Sequence, residues 1–159
     1  MTLTRSADAF VELPARAALA RKRRADLFVS LHFNAFDGPR SEAQGCETYC
    51  LTPAGAPSTN TRGEGDSRWV TGNGYDEKSM LLAYHVQKSL LKCLPVQDRG
   101  VKRARYRVLS DAPMPAILVE GGFLSHPQEG QRILDPNYRR QMARAIVDGI
   151  LAYQRTVKG

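Results

Sequence analysis

Two continuous apolar runs, "DLFVSLH" at residues 26–32 and "AILVE" at residues 116–120, constrain this chain more than any other feature of it. Neither alternates apolar with polar residues, so each reads as a strand covered on both faces, and such strands belong to parallel sheets with helices on either side. The intervening segments turn helical. "FVELPARAALA" reads as a short helix with Pro14 in its first turn, and residues 79–94 place Ala83, Val86, Leu90 and Leu94 three and four apart until Pro95 stops the pattern. "SHPQ" opens a further helix, with Ser125 as N-cap and Gln128 completing a capping box. "DPNY" opens the last, with Asp135 as N-cap and a buried stripe of Tyr138, Met142, Ile146, Gly149 and Tyr153, the glycine permitting close approach to the sheet. "MTLTR" reads as the end of a strand, "GCETYCL" (45–51) as a more exposed alternating strand, and "YRVLS" (106–110) as another. The expected class is α/β, a mostly parallel sheet sandwiched by helices.

At 159 residues the chain fits one domain spanning 1–159. Residues 53–79, rich in Gly, Pro, Ser and Thr, read as a long irregular loop, expected to be a mobile flap with Trp69 and Tyr75 as anchors. No apolar run is long enough to cross a membrane, and there is no apolar signal segment at Met1. A net charge of +7 raises nucleic acid as a partner, but the densest basic run, Arg21 to Arg24, falls at a helix C-terminus, where the macrodipole favours cations, and no aromatic-rich nucleic-acid motif accompanies it. A solvated helix end is the better reading, and no nucleic-acid partner is expected. Cys46 and Cys50, four apart in one strand, would lie about 13 Å apart, too far for a bridge.

Both apolar strands end in a chemically versatile side chain, His32 and Glu120. In open α/β sheets, ligands bind outside the carboxyl ends of the strands, so the two residues are candidates for one site. Taken singly, each has a plain alternative: a hydrogen-bonded core histidine, or a carboxylate salt-bridged to an arginine. Gly121 and Gly122 beside Glu120 tip the balance by leaving room for a ligand. An imidazole and a carboxylate at one sheet edge suit a metal-activated water, the first as ligand and the second as proton acceptor.

The segments "LTRSADAFVELPARAALARKRRADLFVSLHFNA" and "DRGVKRARYRVLSDAPMPAILVEGGFLSHPQEGQRIL" resemble the zinc-dependent N-acetylmuramoyl-L-alanine amidases of the type 3 family, over nearly the whole chain. The resemblance implies a zinc-exopeptidase-like fold, Zn2+ as cofactor with His32 as a metal ligand, and Glu120 as the catalytic base and acid. It implies cleavage of the amide between N-acetylmuramic acid and L-alanine, peptidoglycan as partner, a monomer, and action in the cell envelope, periplasmic or extracellular. Asn34 is expected to order the turn after His32. The family's other two zinc ligands lie upstream of the LTR strand in which Met1 stands, so the resemblance also implies an N-terminally incomplete fold. The chain as given is then expected to bind zinc poorly and to cleave little, with an inactive peptidoglycan-binding or regulatory module as the alternative. Glu12, His85 and His126 are the possible stand-in ligands. His126 occupies a position where the family usually has asparagine, and its place in a capped helix points to capping or solvent exposure.

Overall fold

The computed structural model describes residues 1–36, 42–59, 61 and 65–158. Four strands, β1 (Phe28–Asn34), β2 (Cys46–Leu51), β3 (Asp98–Ala104) and β4 (Ala116–Phe123), form one sheet in the order β1-β4-β2-β3. The helices are α1 (Leu13–Lys22), α2 (Asp76–Cys93), α3 (Arg107–Ser110), α4 (Pro127–Leu134) and α5 (Pro136–Lys158). One face of the sheet, with Ile117, Val119, Cys46 and Cys50, packs on α2 and α5 through Leu82, Val86, Leu90, Met142 and Ile146. The other face, with Phe28, Tyr49, Leu51 and Leu118, packs on α1 and α3 through Ala20, Val108 and Leu109. This is the α/β sandwich expected from the apolar runs.

The ladders β1·β4 and β2·β3 are parallel, as expected, but β2·β4 at the centre is antiparallel. That single reversal matters for the site. The carboxyl ends of β1 and β4 meet the amino ends of β2 and β3, so side chains from all four strands reach the same end of the sheet.

Several local readings are corrected. Residues 1–5 form no strand; Leu3 is exposed and the segment is closed by a bond from Arg5 Nη1 to the Ala9 carbonyl at 2.8 Å. Without a ladder partner a β-prone stretch has nothing to hold it extended. "YRVLS" is the short helix α3, its adjacent Val108 and Leu109 both buried and its turn closed on the Tyr106 carbonyl. The strand lies just before it, in "DRGVKRA", where half-exposed charged residues suit an edge position and hide the period-2 signal. β2 is buried at all six positions because it is an interior strand, with Thr48 donating to Gln87 of α2 at 2.8 Å.

At α4 the N-cap is His126, not Ser125, and its ring nitrogen accepts from the Glu129 backbone N–H at 3.3 Å. Glu129 takes the place expected for Gln128, and its buried carboxylate clamps two backbones, Gly45 N–H on Oε1 and Phe123 N–H on Oε2, both at 2.9 Å. Asp135 caps α5 as expected, accepting from Asn137 N–H at 2.9 Å. The α5 stripe Tyr138, Met142, Ile146, Gly149 and Tyr153 is buried as read. Gly149, however, faces α2 rather than the sheet: a Cβ there would lie 2.6 Å from Val86 Cα and 2.9 Å from the His85 carbonyl oxygen.

Those neighbours are backbone atoms that cannot turn aside. Gly149→Ala should therefore destabilise the fold by about 1–3 kcal/mol, the usual range for overpacking, despite alanine's better helix propensity. Urea unfolding checks this, and a stabilised variant would contradict the α2·α5 contact.

Candidate active site

A row of polar side chains crosses the sheet at the end just described. His32 of β1 is the register partner of Glu120 of β4, and Glu120 is in turn the register partner of Glu47 of β2. Opposite Glu47, β3 carries a bulge: Cys46 pairs with Asp98 and Thr48 with Val101, so Arg99 and Gly100 both face one residue. Gly100 supplies the left-handed backbone (φ 80°) that the bulge requires. With neighbouring strands about 4.8 Å apart, the row from His32 to Arg99 is about 14 Å long.

Glu47 is the fixed point of the row. It is 2% exposed and takes bonds from the Tyr49 hydroxyl (2.8 Å), Arg99 Nε (2.8 Å), Lys102 Nζ (2.5 Å) and Asn34 Nδ2 (3.3 Å). Burial works to raise its pKa, but the bonds from Lys102, Arg99 and Tyr49 outweigh it and hold the carboxyl below its ordinary value. Glu120 has the opposite environment. Burial, and secondarily the negative charge of Glu47, pushes its pKa up to about 7, and its Oε2 is buried with no hydrogen-bond partner among the described residues. His32 is half-buried, with Nε2 2.8 Å from Ser30 Oγ. Burial, then the charges of Arg16 and Arg5, lowers its pKa, so the ring is neutral at neutral pH. A carboxyl poised near 7 beside a neutral imidazole can exchange a proton with a bound substrate or water, the arrangement general acid–base chemistry needs.

His32 and Glu120 thus stand side by side, and the arginine bridge considered for Glu120 goes instead to Glu47. The glycines after Glu120 do not open space for a ligand. A Cβ on Gly121 would meet Met142 Sδ at 2.6 Å, and Gly122 (φ 140°) lies against Glu129 and Ile133, so both serve the packing of α4 and α5. Asn34 reaches across to Glu47 rather than ordering its own turn. Of the stand-in ligands, Glu12 precedes α1, His85 on α2 contacts Thr156 of α5, and His126 caps α4. No group of three His, Cys, Asp or Glu that could hold a metal exists among the described residues.

The long segment is shorter than read, since a 3-10 turn starts at Thr71 and α2 at Asp76. Residues 60 and 62–64 lie outside the described residues. Trp69 is exposed, and Arg105 holds the segment, donating to the carbonyls of Pro53 (3.0 Å) and Asp66 (2.5 Å). A cavity of about 510 Å³ lies under this segment, walled by Tyr49 and Tyr106, whose rings meet edge to face at 5.1 Å.

Sequence comparison decides the family. Residues 1–152 match the model of the N-acetylmuramoyl-L-alanine amidase family. The chain belongs to this family. Curated relatives include an uncharacterised cell wall amidase of Bacillus anthracis, 36% identical over 87% of this chain and 23% of that protein. N-acetylmuramoyl-L-alanine amidase LytC of Bacillus subtilis is 33% identical over 96% of this chain and 26% of its own length. AmiA of Escherichia coli is 29% identical over 95% of this chain and 60% of its own length. The chain therefore spans 60% or less of each of these relatives. Among solved structures, amidase AmiC2 of Nostoc punctiforme superposes with a TM-score of 0.78 at 32% identity, covering 97% of this chain and 72% of that one. The amidase of Clostridium difficile 630 gives 0.76 at 33%, covering 95% and 69%.

Glu47 carries no signature that sequence reasoning used, because only the antiparallel β2·β4 ladder brings it to Glu120. The raised pKa of Glu120 has a measurable sign. A carboxyl whose folded pKa lies above its unfolded value, here about 7 against 4.5, gives stability that is full below the unfolded pKa and is lost as pH rises through the folded one. Glu120→Gln should thus raise the melting temperature more at pH 8 than at pH 5, by roughly 2–4 °C. Thermal melts at the two pH values test it; an equal effect at both would contradict the burial of an unpartnered charge.

Proposed function

We propose that this chain hydrolyses the amide between N-acetylmuramic acid and the first L-alanine of peptidoglycan, with Glu120 as the proton-transferring group. The observation that carries the reading is the unpartnered Glu120 Oε2, beside His32 and free of the cations that hold Glu47. The names of its relatives, N-acetylmuramoyl-L-alanine amidases, support the bond chosen. In the proposed reaction a water attacks the lactyl carbonyl carbon while Glu120, ionised above about pH 7, takes the water's proton. The C–N bond then breaks, the proton passes from Glu120 to the departing alanine nitrogen, and the lactyl carboxylic acid so formed gives its remaining proton to the amine, leaving a carboxylate and an ammonium. His32, neutral at neutral pH, is placed to accept a hydrogen bond from the water or from a bound substrate N–H.

A catalytic zinc takes three protein ligands and leaves one position open. The donors here do not fit that need: His32 offers one imidazole, Glu47 is committed to two cations, and Glu120 is the proposed base. The purified chain should compete poorly with a chromophoric chelator for zinc, and stoichiometric uptake would reveal a ligand set beyond these residues. The substrate places the site of action in the cell envelope; no described helix is long and apolar enough to cross a membrane.

The incomplete donor set favours a second reading, a module that binds peptidoglycan without cleaving it. Incubation with purified sacculi separates the two. The proposal expects slow release of peptides with a free N-terminal alanine, reduced by about 10²-fold or more in Glu120→Gln. Retention on sacculi with no release, identical in the variant, would establish the binding module instead.

A further inference from the structure

Glu47 is held by more positive charge than its neutralisation requires. Arg99 Nε and Lys102 Nζ both bond the same oxygen, Oε2, so two cations share one carboxylate. No other acid, Glu120 included, forms an ion pair with either cation among the described residues. The Asp98 carboxylate accepts from Gln87 and from the Gly100 N–H, and Glu129 is committed to two backbone N–H groups. On Arg99, Nη1 makes only a 3.5 Å contact with the Gln44 carbonyl, and Nη2 has no partner among the described residues. The guanidinium lies over the Phe123 ring at 5.0 Å, and its side chain is 30% exposed. It is therefore fixed on one edge by Glu47, backed by an aromatic face and, among the described residues, open on its other edge apart from the Gln44 contact. Lys102, 13% exposed, adds an ammonium with two protons free of Glu47.

We propose that Arg99 and Lys102 form a carboxylate-binding shelf that seats an acidic group of the substrate's peptide portion. The inference rests on the proposed cleavage of a muramoyl-alanine amide and names what recognises the peptide beyond it. A fixed guanidinium edge with open N–H groups matches the two oxygens of a carboxylate. The shelf stands two strands from Glu120, about 10 Å away. An extended peptide advances about 3.3–3.6 Å per residue, so the carboxylate belongs within about three residues of the scissile amide. Pre-fixing by Glu47 lowers the ordering cost of binding, since the guanidinium is already held before the ligand arrives.

The test uses the whole chain carrying Glu120→Gln, so that ligand stays intact, and two synthetic N-acetylmuramoyl-L-alanyl peptides. They differ only in whether the acidic side chains within three residues of the scissile amide are free carboxylates or carboxamides. Calorimetric titration should show the acid binding about ten-fold tighter, the size of one charge-assisted pair. Added salt should weaken the acid and spare the amide. Arg99→Gln in the same background should bring the ratio near one. Equal affinities, a ratio that survives Arg99→Gln, or failure of both peptides to bind would each overturn the shelf. The acid-to-amide ratio is read in a protein with Arg99 intact, so it stands even where Arg99→Gln folds poorly. Discrimination without any cleavage of sacculi by the wild-type chain would remove the hydrolytic reading and leave the shelf, while cleavage with equal affinities would do the reverse.

Discussion

The ion cluster at Glu47 is the interaction on which this end of the molecule depends. A carboxylate at 2% exposure is unfavourable in a sheet interior unless it is paired and hydrogen-bonded, and here Arg99, Lys102, Tyr49 and Asn34 all converge on it. Those partners come from β3, from β2 itself and from the end of β1, so one carboxylate ties three strands at the level of the site. Removing one partner of such a cluster leaves an uncompensated buried charge, which is the costly case.

The same cluster defines Glu120 by contrast. Two carboxylates occupy register-paired positions on adjacent strands, and only one has cations. Glu47 therefore stays ionised, while its neighbour, buried and next to a negative charge, is pushed up to about 7. Environments that drive two titratable groups apart are how acid and base roles get assigned within one site. The backbone around Glu120 is held by a second buried carboxylate, Glu129, whose bonds to Gly45 and Phe123 fix the approach to β2 and the exit from β4. The glycines at 121 and 122 let Met142 and Glu129 come that close.

Much of this was legible in the chain. The apolar runs of β1 and β4, the α5 stripe, Pro14 in the first turn of α1 and the Asp135 cap follow from local rules, because burial on both strand faces and helical spacing leave direct marks on residue order, and the shared sheet edge of His32 and Glu120 follows from the rule for parallel strands. β2 reads as an exposed strand because its polar residues Glu47 and Thr48 are buried only through partners on other segments, Arg99, Lys102 and Gln87, and pairing is a property of two segments at once. A capping position was misplaced by one residue at Ser125, where His126 competes with an equally suitable acceptor.

The sequence by itself determined the family, the α/β class, and the two side chains that end the apolar strands, since each is written in contiguous residues. Only the tertiary structure decided that β2 runs antiparallel to β4, and with it that Glu47, Arg99 and Lys102 share an end of the sheet with Glu120. Strand direction is set by how distant segments pack and close their ladders. No stretch of the chain encodes it alone, and the charge state of Glu120 follows from it.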